Sequence, residues 1–269
     1  MSIFSDLIFP KLFYIILPIA ILQVLFIPGI LINFFFKYKT NFFSLILNSF
    51  AASLVLNYCI IFSFTILNIY NTYTIWLLIF IEFLIIFIFW KNIYQYIKVN
   101  IEETSSNFIL LMNKNSINKF IFYICLILCG IFVINYIPLV KDKTNGYIQI
   151  FEYGDVIHHY SQHAISWFKG EIPPSSFLRP QLWFSNVSLI YIIFNNVYFE
   201  PFGKIIFLLV PLYILIGTLG FSISSKNIIY LFSGLIGLNI ILTNTYAFST
   251  SGYLEIPQIL GYLIFLIFI

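Results

Sequence analysis

The 269 residues are 61% hydrophobic and only 9% charged, so the chain lacks the polar side chains that a water-soluble domain uses to cover its surface. A net charge of +3, with no basic patch interleaved with aromatics, argues against a nucleic-acid partner. No P-loop, HExxH or glycine-rich nucleotide motif occurs, so nothing supports soluble-nucleotide chemistry.

A mean hydropathy of +0.99 points to lipid as the solvent. A spanning helix needs roughly 20 mostly apolar residues, and several runs approach or exceed that. The runs are continuous rather than alternating, which predicts helices over a barrel. The first extends from about Leu12 to Phe36, with Pro18 and Pro28 as predicted kinks. It is too long for a signal peptide and no small-residue cleavage site follows, so it reads as a retained span. Lys37 and Lys39 precede a second run from Phe42 to Ile69. An uncharged turn, Tyr70 to Thr74, leads to a third run, Ile75 to Trp90, which contains Glu82 with no evident partner. Residues 91–119 are the first truly polar stretch and read as a cytoplasmic loop. Phe120 to Leu139 is the fourth run.

A long non-spanning segment, Val140 to about Pro180, comes next. Gln181 to Phe199 is apolar but short and is interrupted by Asn186, Ser188, Asn195 and Asn196. Further spans are predicted over Ile205–Phe221 and Ile228–Thr243. A polar hinge, Asn244 to Gln258, precedes a last apolar run that stops at Phe268-Ile269. That ending suggests a fragment or truncated product of a longer membrane protein. Cys59, Cys125 and Cys129 all fall in apolar runs and read as small buried hydrophobes. The expected fold is all-α: a polytopic helical membrane protein with an outer-face loop containing short interfacial helices. Residues 1–119 form a three-span segment plus a cytoplasmic loop, and 120–269 a second unit. Lys37, Lys39, the 91–119 loop and Lys226 are mutually consistent as cytoplasmic, provided Gln181–Phe199 does not cross. The N-terminus, residues 140–204 and the 244–258 hinge then face outward. A multi-pass protein of a bacterial inner membrane is the expected setting.

The outer segment holds what the spans lack. It reads Tyr153-Gly154-Asp155-Val156-Ile157-His158-His159-Tyr160-Ser161-Gln162-His163, and it contains all three histidines of the chain. Asp155, His159 and His163 are spaced i, i+4, i+8, so a helix stacks them on one face. Ala164, Ile165 and Trp167 supply an apolar side suited to the membrane surface. Three readings stay open here. Asp155 is a general base for an acceptor hydroxyl; or Asp155, His159 and His163 hold a divalent cation; or the polar side is simply hydrated. A divalent metal is the one candidate cofactor. Arg179, in Leu178-Arg179-Pro180-Gln181, suits either a phosphate or a lipid headgroup. Glu255 sits in Gly252-Tyr253-Leu254-Glu255-Ile256-Pro257, at the outer mouth of two spans, and is either a cavity residue or an exposed loop carboxylate.

From the fourth span onward the chain resembles the start of the GT-C glycosyltransferases, polytopic enzymes that take a sugar from a polyprenyl-phosphate carrier on the outer side. The protein O-mannosyltransferases belong to that superfamily. Gly154-Asp155 and the following stretch, His158 to Gly170, are similar to the family's catalytic Asp and amphipathic helix. Pro180-Gln181-Leu182-Trp183 is similar to its Pro-hydrophobic start of a second, non-crossing outer helix. The 252–257 stretch resembles its later Gly–acidic–Pro loop, with Glu in place of the commoner Asp. The resemblance covers about residues 120–269. It implies Asp155 as catalytic base and Glu255 as a ligand of acceptor or metal. Arg179, His158 or His159 would face the donor phosphate, and His159 and His163 are the metal candidates. The implied partners are membrane lipid, a polyprenyl-phosphate-linked sugar, and an acceptor glycan, lipid or protein. Two features depart from the family: three extra spans precede the loop, and one Asp stands where some members carry an acidic pair. The alternatives are a transporter or flippase-like protein and a non-catalytic membrane assembly protein. The scarcity of charge within the spans weighs against transport.

Overall fold

The computed structural model describes residues 15–145, 162–173, 181–197 and 200–244, and every regular element among them is helical. In chain order these are α1 (Ile15–Leu25), α2 (Ile27–Phe35), α3 (Phe42–Ile66), α4 (Thr72–Ile88) and α5 (Trp90–Asn113). There follow α6 (Ser116–Asn145), α7 (Gln162–Phe168), α8 (Leu182–Phe194), α9 (Glu200–Ser224) and α10 (Ile229–Asn244). Two helices, Phe42–Ile66 and Ser116–Ile137, are long and apolar enough to cross a membrane, and up to four spans result if each bent pair counts as one. The predicted spans over Ile205–Phe221 and Ile228–Thr243 overlap α9 and α10, whose described apolar stretches are Leu209–Ser224 and Ile229–Ile240.

The first predicted span is bent by 46° between α1 and α2, beside Pro28 rather than Pro18. Proline has no N–H, so Pro28 cannot donate to the carbonyl of Val24 one turn earlier. Asn57 of α3 fills that gap: its Nδ2 donates to Val24 O and Gln23 O, each at 3.3 Å, and to Asn186 Oδ1 at 3.1 Å. Just beyond the break, α2 and α3 touch through their backbones. A Cβ on Gly29 would lie 1.8 Å from the Ser49 carbonyl oxygen. The contact is fastened by Gly29 N to Ser53 Oγ at 2.9 Å and by Asn33 Nδ2 to Ser49 Oγ at 3.1 Å. Small residues that let backbones approach and a few polar fasteners are how helices associate where water gives no hydrophobic drive.

Asn41 caps α3, accepting from Ser44 N, and its amide also donates to Gly220 O at 2.8 Å and Ser224 Oγ at 2.6 Å. The start of α3 and the end of α9 therefore share one end of the bundle. Lys37 and Lys39 lie just before that point in the chain, and Lys226 lies two residues beyond Ser224. At mid-bundle, Phe50 of α3 stacks on Tyr213 of α9, with centroids 3.8 Å apart.

Residues 91–119, expected as a loop, are largely helical. The chain turns by 75° after α4 and continues as the 24-residue α5. The stretch from 91 to 113 has neither Gly nor Pro, and its buried residues Ile93, Asn100 and Leu111 fall on a helical spacing, so polarity there makes a one-sided helix rather than a loop. α5 covers the otherwise unsatisfied start of α3: Asn100 Oδ1 accepts from Thr40 N at 3.1 Å, and Thr104 Oγ1 from Phe42 N at 2.6 Å. The exposed Lys98–Glu102 pair at 3.8 Å adds little stability. Of the three cysteines, Cys125 is buried, Cys129 half-buried and Cys59 exposed, so the expectation of burial fails at Cys59.

Candidate functional site

α8 is the element around which the polar groups gather. Its 13 residues span about 20 Å at 1.5 Å per residue, short of a hydrocarbon core of roughly 30 Å. The expectation that Gln181–Phe199 does not make a full crossing agrees with that length. Its placement differs from the expected surface helix, because every residue from Trp183 to Phe194 is buried. Trp183 sits against Phe50, a third of the way along α3. At the far end, Thr72 Oγ1 donates to Ile192 O at 3.0 Å and Trp76 Nε1 to Ile193 O at 3.2 Å. The helix thus runs alongside the second half of α3, packed by α3, α4, α7 and α9. The reason is its composition: it has apolar side chains all round and no hydrated face. Its polar residues are absorbed locally. Asn186 donates to Leu54 O and Leu182 O, Ser185 to Leu182 O, and Ser188 to Ser185 O. The Tyr70 hydroxyl pairs with Ser188 Oγ at 3.0 Å, and burial pushes it above its ordinary titration range.

α7 packs on α8. Its apolar side, expected on the membrane surface, is turned inward: Ala164 and Trp167 are fully buried, and Trp167 stands edge-on to Tyr58 and Phe62 of α3. The cause is the adjacent apolar face of α3, which removes more of the indole from solvent than a bilayer surface does. Trp167 Nε1 donates to Gln181 Oε1 at 3.0 Å, and Gln181 Nε2 lies 3.0 Å from His163 Nδ1. An indole N–H can only donate, so the Gln181 oxygen is the acceptor and its NH₂ must be the donor to His163. His163 is therefore held as the neutral ring with its proton on Nε2, edge-on to Phe184. Gln181→Ala should remove the acceptor of the buried Trp167 indole N–H and the donor to His163 Nδ1, and lower stability by about 1–3 kcal/mol. Thermal unfolding of the purified protein in detergent checks this, and an unchanged midpoint would contradict the proposed bridge.

Among the candidate site residues Asp155, His158, His159, His163, Arg179 and Glu255, only His163 is described. Asp155, His158, His159, Arg179 and Glu255 lie outside the described residues. Among the described residues no group of three or more His, Cys, Asp or Glu is placed to hold a metal. The bridge joins His163, the one candidate site residue among those described, to Gln181 at the start of α8.

Sequence reasoning missed Gln181 as the connecting group. It also missed a second polar pair. Glu82 of α4 is buried and faces Gln23 of α1, which is fully buried. Among the described residues, Glu82 Oε2 and both polar side-chain atoms of Gln23 meet no partner in strict hydrogen-bonding geometry, so the pair is held at looser range. The signal was present, since each is a lone polar residue within an apolar run. Their proximity depends on how α1 packs, which no local pattern encodes. No known protein family, curated protein or solved structure matches the chain.

Proposed function

We propose that this chain belongs to a multi-pass membrane glycosyltransferase that moves a sugar from a polyprenyl-phosphate carrier to an acceptor on the outer face of a bacterial inner membrane. The observation that carries the reading is the Trp167–Gln181–His163 bridge. It fixes the segment that follows Arg179 against the helix that follows Asp155 and His159, so a base and a phosphate-binding cation would be anchored on one rigid support. The orientation gains support from the shared end of α3 and α9, beside which Lys37, Lys39 and Lys226 lie in the chain. The cytoplasm would lie at that end and the α7–α8 face would open outward. In the reaction, Asp155 takes the proton of the acceptor hydroxyl as its oxygen attacks the anomeric carbon. The C–O bond to phosphate breaks, and polyprenyl phosphate leaves with inversion. Glu255 would orient the acceptor or a metal, and Arg179 or a histidine, His158 or His159, would balance the phosphate charge.

Membranes containing the full-length protein, incubated with labelled polyprenyl-phosphate sugars, should release polyprenyl phosphate only when an acceptor is present. Intact donor across all sugars tried would sink the proposal. A second reading, transport, draws on the buried Glu82–Gln23 pair, because an ionisable residue inside a membrane usually marks a path. A transporter would leave the donor bond intact in the same assay.

A further inference from the structure

At the end of the bundle opposite the close of α8, a cavity of about 430 Å³ opens between the α2–α3 turn and the start of α5. Lys37 and Lys39 from the turn and Lys91 from α5 line it, with Asn92 and Gln95 beside them. All three lysines are exposed; among the described residues no acidic side chain lines the cavity, and the ion pair uses Lys98 instead. The shape is held by buried Asn100, whose amide donates to Tyr96 O and whose oxygen accepts from Thr40 N. α5 begins here with no side-chain cap and no acidic residue in its first turn, so no carboxylate there offsets the lysines.

We propose that this cavity binds the phosphate headgroup of an anionic membrane lipid. Charge favours an anion, and the surroundings select a lipid over a free ion. Phe34, Phe35, Phe89 and Tyr96 form a ring cluster beside the cavity. Phe36, 80% exposed, and Trp90, 60% exposed, adjoin the lysines in sequence. Aromatic rings next to lysines at a helix mouth are the arrangement found at headgroup level. Basic pockets between helices on the cytoplasmic side take anionic headgroups, to which each nearby lysine contributes about fivefold in affinity. The site is independent of the transferase reading and lies at the other end of the molecule.

The test uses the purified full chain, reconstituted with equal phosphatidylglycerol and phosphatidylcholine, with bound lipids counted by native mass spectrometry. Phosphatidylglycerol should be retained over phosphatidylcholine by roughly tenfold or more. K37Q/K39Q/K91Q should lose most of that preference, and K114Q/K119Q/K226Q, which removes the same charge from other exposed positions, should keep it. Millimolar inorganic phosphate should not displace the lipid. Equal retention of the two lipids, equal loss in both triple variants, or displacement by inorganic phosphate would each overturn the proposal.

Discussion

Asp155→Asn should reduce sugar transfer by about 10²–10⁴-fold while membrane abundance and the unfolding midpoint stay at wild-type levels. The asparagine keeps the shape and most of the hydrogen-bonding reach of the aspartate but cannot accept the acceptor's proton. Under the proposed mechanism this loss should appear in kcat with little change in KM for the donor, because donor recognition is assigned to Arg179 and the histidines rather than to Asp155. The comparison that matters is activity against abundance in the same membranes. Equal activity of the Asn variant removes the base from the mechanism. Lost activity together with lost protein would instead make Asp155 a folding residue.

The largest expected effect on stability is at Gly29. A Cβ there would fall 1.8 Å from the Ser49 carbonyl oxygen and 2.6 Å from its carbon, both backbone atoms that cannot rotate away. Gly29→Val must therefore push α2 from α3 and stretch the Gly29–Ser53 and Asn33–Ser49 hydrogen bonds together. A cost of about 3 kcal/mol or more is expected, at the upper end for overpacked sites. Gly130→Val and Gly237→Val are the controls, because a Cβ at either position meets nothing within 4 Å. Thermal unfolding in detergent should show a large drop for the first variant and little change for the controls. A Gly29→Val protein as stable as the controls would mean that the α2–α3 contact is not as close as described.

Much of this architecture was readable from the chain alone, for identifiable reasons. The α3 helix and the first part of α6 are long apolar runs bounded by polar residues, and their limits follow from composition. The break at Pro28 follows from a missing N–H. What composition could not supply was the destination of a face. In the 91–119 stretch charge suggests a loop, although its buried positions Ile93, Asn100 and Leu111 keep a helical spacing. α8 and Trp167 looked suited to a surface because nothing local says that α3 leaves a slot for them. Glu82 and Gln23 lie 59 positions apart, and only the packing of α1 places them together. The candidate residues Asp155, Arg179 and Glu255 rest on motif and chemistry and lie outside the described residues.

The burial of α8 also constrains the order in which the protein assembles. Its walls are α3, α4, α7 and α9, and α9 is synthesised after it. While α8 emerges, one wall of its slot does not yet exist, and a 13-residue helix is too short to settle across a bilayer by itself. Until α8 arrives, Asn57, Tyr70 and Trp76 lack the partners it brings. The slot closes when α9 docks Tyr213 onto Phe50. The seat of α8 is therefore complete only after α9 has been made.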